Sequence, residues 1–159
     1  MPYFLLNLLL ALVWTFLQGE LRSGHFIVGM FLGYLIIALG QRALGSEAYV
    51  AKVIQVIRFL GFVAWEVFTA SLELAWLIVQ PKPPIRPGVV AVPLDAKTDL
   101  EITLLANLIT LSPGSVSLDI SDDRSTLYVH AMVLEVDDPD AFCRSVKEGF
   151  ERRVLEVMR

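Results

Sequence analysis

The chain has 159 residues, of which 55% are hydrophobic, with a mean hydropathy of +0.62 and a net charge of −4. Roughly half apolar is usual for a soluble domain, where more charge offsets it, so this composition excludes an ordinary water-soluble fold throughout. The acidic balance excludes nucleic acid as a partner, since binding phosphate needs a basic surface, and the single cysteine, Cys143, excludes an internal disulfide or a cysteine-built metal site.

Charge is unevenly placed. Residues 1–86 carry +2 and the remainder −6. Near this change lies QPKPPIRPG, residues 80–88, whose four prolines and one glycine stop any helix from running through. The predicted organisation is a transmembrane helical region over 1–80, a Pro-rich linker over 81–88 and a small α+β domain over 89–159.

Three apolar segments make up the first part, at about 3–19, 24–41 and 58–80. Met1 to Gly19 holds no charged side chain, and Ser23 to Gln41 holds none apart from His25. A spanning helix needs ~20 apolar residues to cross ~30 Å of hydrocarbon. The third segment meets that and is expected to be one full span. The first two have shorter apolar cores, Tyr3–Leu17 and Phe26–Leu39. They are two short helices that either cross or form a hairpin entering part of the bilayer. The first lacks the basic leader and the small-residue cleavage site of a secretory signal. His25, at the start of the second, reads as a headgroup or cap contact.

Within the second segment, Gly29, Gly33 and Gly40 fall on one face. Small residues let helix backbones approach closely where lipid supplies no hydrophobic drive for association. That face serves either another subunit or the chain's own helices. In the third segment Glu66 and Glu73 are two helical turns apart and share a face with Thr69 and Ala70. An ionised carboxylate facing lipid costs at least about 3 kcal/mol, so both must meet protein or water, or be protonated. They are candidates for an ion or proton path, or for bonds that hold helices together.

The small domain is expected to run β-α-β-β-α. Val89–Asp95 reads as a strand, with Pro93 restricting it to an edge or an end. Thr98 reads as the N-cap of a nearly all-apolar helix, with Glu101 at the capping-box position, and Pro113 stops it. Ser115–Ser121 alternates as a half-buried strand does, with Val116, Leu118 and Ile120 on the side expected to be covered. After the turn SDDRS comes a second strand, Thr126–Val136, so the pair makes an antiparallel hairpin. Asp138 as N-cap and Pro139 as first helical residue begin a final helix with Phe142, Val146, Phe150, Val154 and Val157 as its apolar stripe. The order implies a two-layer sandwich. No nucleophile–base set, metal-ligand spacing or glycine-rich phosphate loop is present, so no enzyme activity, metal or cofactor is expected.

The run TLLANLITLSPGSVSLDISDDRSTLYVHAM carries a specific resemblance. Its Ala106–Asn107, Ser112-Pro113-Gly114-Ser115 and Leu127-Tyr128-Val129-His130 resemble the E subunit of Mrp-type multisubunit cation/proton antiporters. The flanking positions of the Pro-Gly turn are threonine in the family and serine here, which keeps the hydroxyl. The N-terminal NLLLALVW and the Pro-rich break also resemble the family, so the likeness spans nearly the whole chain. It implies an accessory subunit that works in a multi-pass arrangement in the cell membrane, with other antiporter subunits and the lipid bilayer as partners. It implies a complex exchanging cytoplasmic Na+ or K+ for external H+, and a small domain in the cytoplasm. Asn107, Ser112, Pro113, Gly114, Ser115 and His130 are then the candidate structural or interface motif. The alternative is a membrane-anchored regulatory or ligand-binding module of another membrane complex.

Overall fold

The computed structural model describes residues 2–81, 85–133 and 140–159. By internal packing the chain forms two compact units, residues 1–57 and 58–159.

The first unit is helical: α1 (Pro2–Leu17), α2 (Ser23–Leu39), the single turn α3 (Gln41–Leu44) and the beginning of α4 (Glu47–Val79). Pro2 suits the first helical position because its missing N–H would have no partner there. Helices α1 and α2 pack on each other through two stripes spaced four residues apart. Asn7, Ala11 and Thr15 form one; Gly29, Gly33 and Ile37 form the other. The long side chains of both helices point the other way: Leu5, Leu9, Phe16, Ile27, Phe31 and Ile36 are all more than half exposed. The interior of this unit is thus small and polar and its surface is hydrocarbon. That arrangement suits a lipid solvent and would aggregate in water. At 16 and 17 residues, the two helices reach about 25 Å each, against ~30 Å of hydrocarbon.

Helix α4 has 33 residues and is the one described helix long and apolar enough to cross a membrane by length and composition. It begins eleven residues before the segment expected from hydropathy, because Lys52, Gln55 and Arg58 interrupt the apolar run without interrupting the helix. Its second half belongs to the second unit.

That unit contains a three-stranded antiparallel sheet in the order β1 (Gly88–Pro93), β3 (Thr126–Ala131), β2 (Ser115–Ile120). The expected β2–β3 hairpin is present, and β1 pairs with the far side of β3, with Val90 opposite Val129. Both positions open to Pro93 are met: β1 is an edge strand and Pro93 is its last residue. Helix α5 (Asp99–Leu111) opens with a full capping box. The Thr98 hydroxyl accepts from the Glu101 N–H at 3.2 Å, and the Glu101 carboxylate accepts from the Lys97 and Thr98 N–H groups at 2.9 and 3.1 Å. Arg159 adds an ion pair at 3.2 Å. The backbone bonds from Lys97 and Thr98, with Arg159 behind them, hold this carboxyl down to about 2 from an ordinary 4.5.

The core joins Val92, Leu127 and Val129 of the sheet to Leu105, Leu108 and Ile109 of α5 and Val146, Phe150 and Val154 of the C-terminal helices. Phe59, Phe62 and Val63 of α4 pack against the same cluster. The Phe62 ring meets Phe150 edge-on at 6.0 Å and lies under the Arg153 guanidinium at 3.7 Å.

Two expectations differ from the structure. On β2, Val116 and Leu118 face outward, 45% and 56% exposed, while the serines face the helix. Ser117 Oγ donates to the Ala106 carbonyl at 3.0 Å and Ser115 Oγ to the Ile109 carbonyl at 2.8 Å. Alternation identified the strand, but hydroxyls that bond helix carbonyls reversed its faces.

The final helix is also not uniform. It runs as α6 (Ala141–Val146), a π-helical turn over Lys147–Glu151, and α7 (Arg152–Met158). Phe142, Val146, Phe150 and Val154 repeat every four residues, which drifts by about 40° per step on an α-helix. One wider π turn absorbs the drift and keeps the stripe on the core. It also turns Glu151 inward to 1% exposure, where Oε1 accepts from the Asp95 and Ala96 N–H groups at 2.6 and 2.9 Å. The N-cap assigned to Asp138, with Pro139 and the end of the second strand, lies outside the described residues.

Candidate functional site: a cavity between α4 and a Pro-Gly turn

The second half of α4 turns Glu66, Ala70 and Glu73 to the small domain. Across from them lies the turn that ends α5. Between the two is an open cavity of about 390 Å³, lined from α4 by these residues with Leu74 and Leu77, and from the domain by Ser112–Ser115, Met132, Phe142 and Ser145. Glu66 is half-buried and Glu73 exposed. Among the described residues neither carboxylate has an ion-pair partner. The helix supplies the spacing that brings them to one wall. Thr69, expected on the same stripe, bonds back to its own helix, its hydroxyl donating to the Trp65 carbonyl at 3.0 Å.

The opposite wall is rigidly made. The Ser112 N–H donates to the Leu108 and Ile109 carbonyls at 3.2 Å each. The Ser115 hydroxyl donates to the Ile109 carbonyl as well, so the free end of α5 is satisfied from within the turn. Gly114 sits at φ +94°, a conformation that side-chain-bearing residues rarely adopt, with open space where a Cβ would be. Its carbonyl accepts from Met132 N–H at 2.8 Å, which ties the turn to the end of β3.

The structure therefore brings together two groups that the sequence presented separately: the carboxylate pair at Glu66 and Glu73, and the run Ser112, Pro113, Gly114 and Ser115. The rest of the candidate motif lies elsewhere. Asn107 is exposed on α5. His130 stands in the sheet between Val89 of β1 and Val116 of β2. No group of three metal-ligating side chains occurs among the described residues.

The glycines belong to the first unit. A Cβ on Gly29 would stand 2.8 Å from both the Cα and the carbonyl oxygen of Ala11, and one on Gly33 would overlap the Asn7 side-chain oxygen. Both glycines are packed against the chain's own α1. Gly40 is not on that face: it ends α2, and its nearest neighbours are Leu44 and the Ile36 carbonyl. Asn7, 2% exposed, passes its other end to α4, where its amide donates to the Tyr49 hydroxyl at 2.9 Å. Sequence reading missed Asn7 and Glu151 alike. A lone Asn in an apolar run and a Glu in a charged helix gave no signal of burial, although the strict four-residue repeat around Glu151 carried one.

A family model described as Na+/H+ ion antiporter subunit matches residues 7–157. The chain belongs to this family, as an E-type subunit. It is 35% identical over 155 residues to the E subunit of the Na(+)/H(+) antiporter of Alkalihalophilus pseudofirmus, covering 98% of this chain and 97% of the relative. It is 37% identical, with the same coverage, to the corresponding E subunit of Bacillus subtilis. Among solved structures, a chain of the Mrp complex from Dietzia sp. is similar at a TM-score of 0.50 and 30% identity, over 65% of this protein and 96% of that chain. A chain of an archaeal membrane-bound sulfane sulfur reductase shares the fold over 98% of both chains, at a TM-score of 0.61 and 21% identity. The protein is thus a membrane component of a multisubunit antiporter, and its lipid-adapted first unit accords with that.

Proposed function

We propose that this protein is an accessory, structural member of an Mrp-type complex that exchanges cytoplasmic Na+ or K+ for external H+. Its helices sit in the cell membrane, its small domain is in the cytoplasm, and its task is to hold the assembly together while larger subunits conduct the ions. The observation that carries this reading is the similarity to E subunits of Na(+)/H(+) antiporters over nearly the full length. It is supported by Gly29 and Gly33, whose packing leaves the whole outer surface of α1 and α2 as hydrocarbon. In this reading the Glu66–Glu73 wall and the Ser112–Ser115 turn form the joint between α4 and the domain.

The test is antiport in everted membrane vesicles, read as relaxation of a pH gradient on adding Na+ or K+. Deleting the chain is expected to abolish both antiport and the assembled complex. Glu66→Gln and Glu73→Gln are expected to leave the pH and cation dependence of the residual antiport unchanged. A second reading, direct participation in the ion path, is favoured by two carboxylates opening on one cavity without a described cation. It predicts that either glutamine variant assembles normally but shifts the pH profile or the cation concentration at half-maximal activity.

A further inference from the structure

Helix α4 passes the length test for a membrane span, yet its second half is occupied along one side. Residues from Phe59 to Leu77 touch the core or line the cavity of the small domain. That stretch is about 28 Å long at 1.5 Å per residue, close to the ~30 Å thickness of the hydrocarbon layer. Set across a bilayer, α4 would hold the whole domain at hydrocarbon depth. The domain's exposed charges, among them the Lys147–Asp95 and Arg124–Asp99 pairs, would lie there with it. Charged side chains are strongly disfavoured at that depth. The twelve residues 47–58 that remain free of the domain reach only about 18 Å.

The other side of the same stretch is apolar apart from Ser71, whose hydroxyl donates to the Val67 carbonyl of its own helix. Trp65, Phe68, Leu72, Trp76 and Val79 are 56–76% exposed, and the only charged residues between Phe59 and Val79, Glu66 and Glu73, are on the domain side. Arg58, just upstream, is exposed. What covers this side must accept tryptophan and phenylalanine while the domain behind the helix stays in water. The boundary between lipid and water does both, and tryptophan is the residue enriched there.

We propose that residues 59–79 of α4 lie along the membrane surface rather than across the bilayer, with Trp65, Phe68, Leu72 and Trp76 seated among lipid acyl chains and the small domain held against the headgroups. The protein's membrane location, shown by its family, is the premise. The carboxylate-lined cavity then lies on the aqueous side of the helix. Its acids need no proton or counter-ion to be tolerated.

The experiment uses the full chain in proteoliposomes whose lipids are brominated at a shallow or a deep acyl position, and reads tryptophan quenching. Three single-tryptophan variants, made by Trp→Phe exchange, retain Trp14, Trp65 or Trp76. Quenching of Trp14 establishes that the protein is inserted. The expected result is that Trp65 and Trp76 are both quenched best by the shallow bromine, at the same depth. Depths differing by about 16 Å, the rise over eleven residues, would mean a crossing helix and overturn the proposal. So would absence of quenching at both positions while Trp14 is quenched, which would mean that protein covers this side. Should the tryptophan variants misfold, nitroxides at Phe68→Cys and Val79→Cys in a Cys143→Ala chain report the same two depths.

Discussion

The α1–α2 pair and the small domain, parts of one chain, follow opposite packing rules. In the pair the buried positions are Asn7, Ala11, Thr15, Gly29, Gly33 and Ile37, and most of the large apolar side chains other than Ile37 are outside. In the domain Val92, Leu105, Ile109, Val129 and Val154 are buried, and most charged side chains are outside, with Glu101 and Glu151 the buried exceptions. The difference is the solvent. Lipid gives no reward for burying leucine, so the pair is held by close backbone approach, and Asn7 of α1 bonds on to Tyr49 of α4. Water does give that reward, at roughly 25 cal/mol per Å², so the domain is held by burial of apolar surface. Helix α4 joins the two rules: Phe59, Phe62 and Val63 obey the second, and Trp65, Phe68 and Trp76 the first.

The sharpest way to break this contrast is to add volume in one region and remove it in the other. Gly29→Leu places a side chain against the Ala11 backbone, which cannot yield, and should force α1 and α2 apart. The expected outcome is loss of most assembled complex on a native gel. Gly24→Leu, on the same helix with open space around it, should assemble normally. Conversely, Leu105→Ala empties a fully buried position of the domain and is expected to destabilise it by about 2–5 kcal/mol, read as a lower melting midpoint in detergent. At the turn facing α4, Gly114→Val must adopt the left-handed backbone it disfavours, at a cost of about 1–2 kcal/mol. The domain should remain folded while the yield of complex falls.

The smallest effect is the pH dependence of the domain. Glu101 has its folded-state pKa depressed to about 2 from 4.5 by the Lys97 and Thr98 backbone bonds. A depressed carboxylate contributes stability above the unfolded value, and that contribution is lost as pH falls from 4.5 towards 2. Glu101→Gln should therefore lower the melting midpoint at pH 7 and narrow the gap to the parent at pH 3. An equal gap at both pH values would count against the assignment.

Much of this was legible in the sequence, for stated reasons. Charge-free runs marked α1 and α2, Thr98 with Glu101 marked the start of α5, and Pro93 marked an edge or end of a strand, since each depends on neighbours in the chain. The kinship was legible in the run from Ala106 to His130. What could not be read depended on contacts distant in sequence. Val116 and Leu118 look inward-facing until Ser117 is seen bonding the Ala106 carbonyl. Nothing near Glu66 and Glu73 in the chain announces the turn at 112–115 that the fold places opposite them. Apolar content alone does not distinguish an exposed side from one that meets a folded domain, so residues 58–80 read as a full span although the stripe of Glu66, Thr69, Ala70 and Glu73 was visible.

The central claim is that this chain is a lipid-embedded protein that functions only within an antiporter assembly. Its most direct test is purification of the tagged chain from membranes in mild detergent, followed by sizing and mass spectrometry of the peak. The account predicts that the chain resists salt extraction and elutes in one large species with other antiporter subunits. A chain that remains in the supernatant of a centrifuged lysate, or that elutes alone from membranes whose antiport is intact, would contradict it.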